Sequence, residues 1–232
     1  TSDPLPEVYA LIDEDPEFLQ PYFGLALGGL NLHEPELVEQ ARHEVLILNA
    51  YVIPGDHMME IFRSAEERGV RVRVLTNSLA SNDVPAVTAK YKKYRKPLIE
   101  AGAELFEFRA HPEIQAGVVD TEPVQAKFAG LHTKALVVDR EYVYIGSLNL
   151  DPRSIRLNTE MGMIVTSPAL AEEVAAIAER DMAPANSWQV RLDENGKLLW
   201  ESDAGVVTRQ PAQSWWQRVQ AWFFKIAPEG QL

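Results

Sequence analysis

Apolar positions along this chain change period several times, and each change marks an element. Residues 44–50 contain the unbroken run Val45, Leu46, Ile47 and Leu48, as expected of a strand covered on both faces. Pro54-Gly55 ends it. Residues 58–68 then read as a helix closed by Gly69, and 70–76 as the next strand. A helix over 84–101, disturbed at Pro97, leads through Gly102 to a third strand at 104–108. Strand, helix, strand, helix, strand implies right-handed parallel crossovers with helices packed on the sheet. Residues 111–130 lack periodicity and serve either as a lid or channel wall or as an idle insertion. An antiparallel pair follows, with a turn at Asp139-Arg140-Glu141, then a strand at 160–165 and a helix at 168–181. The expected class is α/β, a mixed and largely parallel β-sheet sandwiched by helices.

The C-terminal part has its own pattern. Residues 188–192 and 197–200 flank Asp193-Glu194-Asn195-Gly196, a hairpin signal with an Asn-Gly turn, and 203–212 read as linker. Beyond Ser214 a helix is predicted with Trp215, Trp216, Val219, Trp222, Phe223 and Ile226 on one face. Ser214, Gln217, Arg218, Ala221 and Lys225 occupy the other. Such a Trp-rich basic helix suits a membrane interface, or else packs its aromatics on its own domain or a partner. The expected organisation is therefore an N-terminal connector at 1–43, the α-β-α domain at 44–187, and a hairpin, linker and amphipathic helix at 188–232.

Composition narrows the partners. With 232 residues, 46% hydrophobic and 24% charged, the chain suits one globular domain plus appendages. No run approaches the roughly twenty apolar residues of a membrane-spanning helix. A net charge of −12 argues against nucleic acid as a partner, because such binding relies on Lys and Arg neutralising phosphates. The dense basic segment Lys90, Lys92, Lys93, Arg95 and Lys96 is either a solvated helix face or a docking patch for anionic headgroups. Zero cysteines exclude disulfides and thiolate catalysis. The start, Thr1-Ser2-Asp3-Pro4, has no signal pattern, so any targeting segment is expected upstream or already removed.

Candidate chemistry gathers in one place. In His132-Thr133-Lys134-Ala135-Leu136-Val137-Val138-Asp139, strand alternation puts His132 and Lys134 on one face. Ser147 and Asn149 in Gly146-Ser147-Leu148-Asn149 again share a face. Two adjacent strands then present an imidazole, an ammonium, a hydroxyl and an amide to one anion, as recognition of a phosphodiester requires.

In this order, His132, Lys134, Asp139, Gly146, Ser147 and Asn149 resemble the HKD motif of the phospholipase D superfamily. Gly146 through Ser154, reading GSxNxDxRS, followed by Asn158-Thr159-Glu160, is similar to the bacterial cardiolipin synthase branch. So are Ala50-Tyr51-Val52-Ile53-Pro54-Gly55 and Asn77 to Asp83; the chain departs from that branch at Asn49-Ala50, where Ser-Pro is more usual. The likeness covers roughly residues 44 to 200 and implies the same layered architecture. It further implies two HKD motifs meeting across a pseudo-twofold axis, one His attacking phosphorus and the other donating a proton, with no cofactor or metal.

Only one motif is present here, since His33, His43, His57 and His111 lack the following Lys and Asp. The chain is then the C-terminal half of a two-motif enzyme, the preferred reading, or two copies pair to build one site. The resemblance implies a catalytic set of His132, Lys134, Asp139 and Glu160, with His132 as acid/base partner and Glu160 orienting an imidazole. Asp139 also reads as holding its turn. His132, Lys134, Ser147 and Asn149 form the implied phosphate-binding set. The implied function is a phosphatidyltransferase of cardiolipin synthase type, joining phosphatidylglycerol and a second phospholipid through a phosphohistidine. Its implied partners are a phospholipid substrate, a membrane surface and a second HKD half, at the periphery of a bacterial inner membrane. The alternatives are a hydrolytic phospholipase D, a nuclease, or an inert half-domain that dimerises or binds lipid.

Overall fold

The computed structural model describes residues 7–12, 24–27, 30–82, 85–118 and 126–223. In chain order, β1 (Glu7–Ile12), β2 (Gly24–Leu27) and β3 (Leu30–His33) precede α1 (Glu34–Gln40). Next come β4 (Glu44–Asn49), α2 (Gly55–Glu67), β5 (Arg71–Asn77), α3 (Pro85–Tyr91), α4 (Arg95–Glu100) and β6 (Glu104–Phe108). After α5 (Gln115–Val118), β7 (Lys134–Val138) and β8 (Tyr142–Gly146) are followed by α6 (Pro152–Arg156), β9 (Met161–Thr166) and α7 (Pro168–Met182). The C-terminal part comprises β10 (Ser187–Leu192), β11 (Leu198–Ser202), β12 (Gly205–Val207) and α8 (Trp215–Phe223).

Ten of the described strands share one sheet in the order β1-β9-β8-β7-β4-β5-β6-β10-β11-β12, while β2 and β3 pair separately. The mixed α/β sheet flanked by helices agrees with the sequence pattern, but its parallel share is smaller than expected. Among the described strands only the pairs β4–β5 and β5–β6 are parallel; their neighbours on both sides run antiparallel. Helical crossovers link the parallel strands, whereas tight turns join β7 to β8 and β10 to β11, and such turns enforce antiparallel pairing. Alternation sends Val45, Ile47, Val72, Val74, Leu136 and Val138 to one face, under α1, α2 and α4. Leu46, Leu48, Leu75, Val137 and Val143 face α7, whose Ala171, Ala175 and Ala178 are fully buried. Small side chains at that helical spacing let α7 lie close to the sheet.

Several boundaries shift. The predicted helix over 84–101 is two helices, broken at residues 92–94 rather than at Pro97. Pro97 falls in the first turn of α4, where its missing N–H has no intrahelical partner to lose. The basic segment is therefore not one solvated face. Arg95 is 2% exposed and its Nε donates to Glu107 Oε1 at 2.5 Å, with Glu107 fully buried. Trp200 Nε1 donates to the other carboxylate oxygen at 2.9 Å, and Arg95 Nη1 to Gln210 Oε1 at 2.8 Å, tying α4, β6 and β11 to the segment before α8. Burial works most strongly against the Arg95 charge, but Glu107 and Tyr91 together outweigh it and hold the guanidinium above its ordinary pKa.

The sheet also crosses both expected domain boundaries. β1 pairs with β9 at one edge, and Leu37 and Val38 of α1 join the core, so the segment before residue 44 is more than a connector. At the other edge β10, β11 and β12 continue the sheet, and β12 occupies part of the expected linker. No helix among the described residues is long and apolar enough to cross a membrane. Lys225 and Ile226, and residues 119–125 of the loop, lie outside the described residues.

Candidate active site

The ends of four neighbouring strands bring the chemistry together. Lys134 opens β7 and pairs across the ladder with Asn49 at the end of β4, while Gly146 at the end of β8 faces Gly162 near the start of β9. Lys134 is 7% exposed. Its Nζ donates to the His132 carbonyl at 2.8 Å and lies 3.2 Å from each imidazole nitrogen. Equal distances place the ammonium beside the ring rather than on one nitrogen's lone pair, so the contact selects neither tautomer.

His132 precedes the strand and is exposed. Its backbone is nevertheless well held. The buried Asn77 side chain donates to Leu131 O and accepts from Leu131 N, both at 2.8 Å, clasping the residue before the imidazole. Asn77 Nδ2 also reaches Ala50 O at 3.3 Å, joining the ends of β4 and β5 to the same loop.

A second polar group stands beside the first. Ser147 Oγ donates to Glu160 Oε2 at 2.5 Å and accepts from Met161 N at 2.9 Å, while Asn158 Nδ2 donates to Glu160 Oε1 at 3.1 Å. Among the described residues Glu160 makes no hydrogen bond to His132. Asp151 caps α6, accepting from Arg153 N and Ser154 N at 2.9 Å each. Burial pushes its carboxyl up, against the opposing pull of those bonds. The Asn149 amide oxygen is buried without a hydrogen-bond partner among the described residues. Asn49, where the chain departs from Ser-Pro, grips both sides of Asn149: it donates to Leu148 O at 3.1 Å and accepts from Leu150 N at 3.2 Å.

Asp139 lies elsewhere. Five residues along β7 from Lys134, about 16 Å at strand rise, its carboxylate accepts from Arg42 N, His43 N and Glu44 N at 2.8–2.9 Å. There it closes the β7–β8 turn onto the start of β4, at φ 51. Arg140, Arg73, Glu44, Glu172 and Glu179 build an ion-pair network at that same remote end. Of the sequence candidates, the structure thus joins His132 to Lys134 and Ser147 to Glu160, brings Asn149 near them in the β8–α6 loop, and separates Asp139.

Three supporting residues were not among those candidates. Asn49 and Asn77 act through partners 54 to 101 residues away, which no local pattern reveals. Tyr144 leaves a fainter sign: a Cβ on Gly146 or Gly162 would fall 2.2 or 2.3 Å from its side chain. Two glycines in register on adjacent strands thus make the bed for its ring.

The family described as cardiolipin synthase, PLD-like domain matches residues 36–182, a span that contains every one of these groups. This chain belongs to that family. It is 35% identical over 186 residues to cardiolipin synthase C of Escherichia coli K12, covering 78% of this chain and 39% of that protein. Against cardiolipin synthase B of the same strain it is 32% identical over 133 residues, 57% of this chain and 27% of the relative. The chain therefore spans well under half the length of these relatives. Its fold is also that of the phospholipase D family member Nuc from Salmonella typhimurium, with a TM-score of 0.53 at 16% identity, covering 78% of this chain and 97% of that one.

Proposed function

We propose that this chain supplies one half-site of a phosphatidyltransferase of cardiolipin synthase type, acting on a phosphatidylglycerol-like lipid and a second phospholipid. A phosphodiester's charge repels nucleophiles, so catalysis needs neutralisation and in-line placement. Lys134, with the Ser147 hydroxyl and the Asn149 amide, takes up the phosphate. His132 gives its proton to the departing alkoxide oxygen as an imidazole of the second HKD half bonds phosphorus, forming a phosphohistidine. His132, now neutral, accepts the hydroxyl proton of the acceptor lipid as that oxygen attacks phosphorus and releases the second imidazole. The proton count returns to its start. Water in the acceptor's place gives hydrolysis.

We assign Glu160 to the imidazole of the opposite half, because its oxygens bond Ser147 and Asn158 rather than His132. Asp139 takes a fold-holding role, tying the β7–β8 turn to the start of β4 and remote from Lys134. The second HKD half lies upstream in the same protein, or comes from a second copy, and the assembly works at the periphery of a bacterial inner membrane.

The contact between the Lys134 ammonium and His132, beside a Ser147–Glu160 pair at one sheet end, carries this reading. A hydrolytic phospholipase D is the second reading, favoured by the exposure of His132 and Ser147 to water. A net charge of −12 weighs against a nuclease. Labelled phosphatidylglycerol incubated with the chain and a second His-x-Lys half should yield cardiolipin. Phosphatidic acid as sole product selects the hydrolase, and DNA cleavage with no lipid product refutes both.

A further inference from the structure

We infer that α8 and the cations at its base form the surface by which this chain docks on an anionic phospholipid bilayer, turning the His132 end of the sheet toward it. The inference names a surface for the lipid-acting half-site proposed above and rests on that reading for its purpose. Three observations carry it.

The first is the way α8 is held. Amphipathic periodicity alone allows its indoles to pack inward, yet Trp215 and Trp216 are 72% and 60% exposed, with ring centroids 6.3 Å apart. The amides face inward instead: Gln217 Nε2 donates to Leu79 O at 2.6 Å, and Gln213 Nε2 donates to Ala80 O. Arg218 Nη2 donates to Gln210 O at 3.2 Å. A helix that makes these polar contacts while two indoles point outward suits an apolar-polar boundary, where Trp is favoured.

The second is charge. Lys92, Arg209 and Arg218 line a hollow of about 380 Å³ against Trp215 and Val219. Beside it Arg109, His111, Arg209 and Arg218 line a cleft of about 940 Å³ with Trp188, and Val206 and Val207 stand exposed at its rim. No carboxylate among the described residues lines either concavity, although Asp203 pairs with Arg109 from outside. On a chain of net charge −12, cations gathered around exposed indoles complement an anionic surface. Each Lys or Arg close to such a surface contributes on the order of fivefold in partition.

Orientation is the third. Leu79 and Ala80 follow the end of β5, and Arg109 to His111 follow the end of β6. Those strands run parallel to β4, so these residues stand at the same sheet end as Asn49 and Lys134. Two residues before Leu79, Asn77 clasps the backbone next to His132. A bilayer meeting α8 therefore also meets the mouth of the candidate site.

Sedimentation of the 232-residue chain with sucrose-loaded vesicles tests this. Equimolar phosphatidylglycerol and phosphatidylcholine should bind it at least tenfold more tightly than phosphatidylcholine alone, with binding weakened by salt. Trp215→Ala with Trp216→Ala should lose about tenfold, and separately Arg209→Gln with Arg218→Gln about 25-fold, each with an unchanged circular dichroism spectrum. Equal binding to both vesicles, or variants that bind like the parent, overturns the inference. So does concentration-dependent dimerisation that the Trp variant abolishes in the absence of vesicle binding, which makes a second copy the occupant. Turnover of dissolved short-chain phosphatidylglycerol by the parent chain with a second HKD half is scored separately. Normal vesicle binding with no such turnover refutes the transferase reading and leaves the docking surface standing.

Discussion

Replacing Asp139 by Asn separates holding the fold from performing chemistry. The carboxylate accepts three backbone N–H groups, Arg42 N through Oδ2 at 2.8 Å and His43 N and Glu44 N through Oδ1 at 2.8 and 2.9 Å. Asn tolerates the φ of 51 at this position, so the backbone itself is not strained by the change. One acceptor oxygen and the negative charge are lost. A hydrogen bond to a charged group contributes about 1.5–3 kcal/mol and a neutral one about 1 kcal/mol. Removing one such bond and reducing two to neutral strength gives an upper bound of roughly 2.5–7 kcal/mol. The amides of Arg42 and His43 are exposed enough for water to replace the carboxylate, which brings the expectation to about 2 kcal/mol. Urea unfolding followed by Trp fluorescence should then show a midpoint lower by about 1 M, taking a slope of about 2 kcal/mol per M. The folded variant, assembled with a second HKD half, should keep its kcat within about twofold, since Asp139 lies about 16 Å from Lys134 along β7. An unchanged midpoint with a kcat reduced a hundredfold would refute this reasoning and place Asp139 in the chemistry.

Further predictions concern other supports of the sheet. Gly162→Ala sets a methyl 2.3 Å from the Tyr144 ring, and should cost about 1–3 kcal/mol by overpacking, seen as a lower Tm; an unchanged Tm contradicts the packing. Glu107→Gln leaves the buried Arg95 uncompensated and should cost about 3–5 kcal/mol in denaturant titration, whereas Glu107→Leu combined with Arg95→Met should recover most of it. At Glu179 burial raises the carboxyl's pKa, but hydrogen bonds and charges from Arg140 and Arg73 outweigh it and leave it depressed. Its stabilisation is therefore full above the unfolded Glu value of about 4.3 and disappears as pH falls through the lower folded value. Glu179→Gln should flatten that acid limb of the stability profile; an identical limb in parent and variant contradicts the assignment.

Local signals in the sequence carried far for elements whose chemistry is local. The β6 run at 104–108 is an unmixed strand pattern behind Gly102, which the chain uses at φ 84 to leave α4. Asn195-Gly196 turns the β10–β11 hairpin with Gly196 at φ 69. His132 and Lys134 were legible as a pair because only one residue separates them. What stayed hidden depends on distance in the chain or on which face turns inward. The Asn77 clasp on Leu131 spans 54 residues, and periodicity that groups Trp215 with Trp216 does not say that Gln217 will be the side chain facing the domain. The break between α3 and α4 is hidden for another reason: Pro97 looks like a disruption until the first turn of a new helix absorbs it.

The central claim is that this chain is half of a phosphatidyl-transfer site, with His132 as its working imidazole. Formation of cardiolipin from labelled phosphatidylglycerol tests it most directly, measured for the chain alone over a range of concentrations and with a second His-x-Lys half. Dilute chain alone should give no product, addition of the second half should restore it, and His132→Ala should abolish it. Turnover by isolated monomer in linear proportion to its concentration, or an active His132→Ala assembly, would contradict the account.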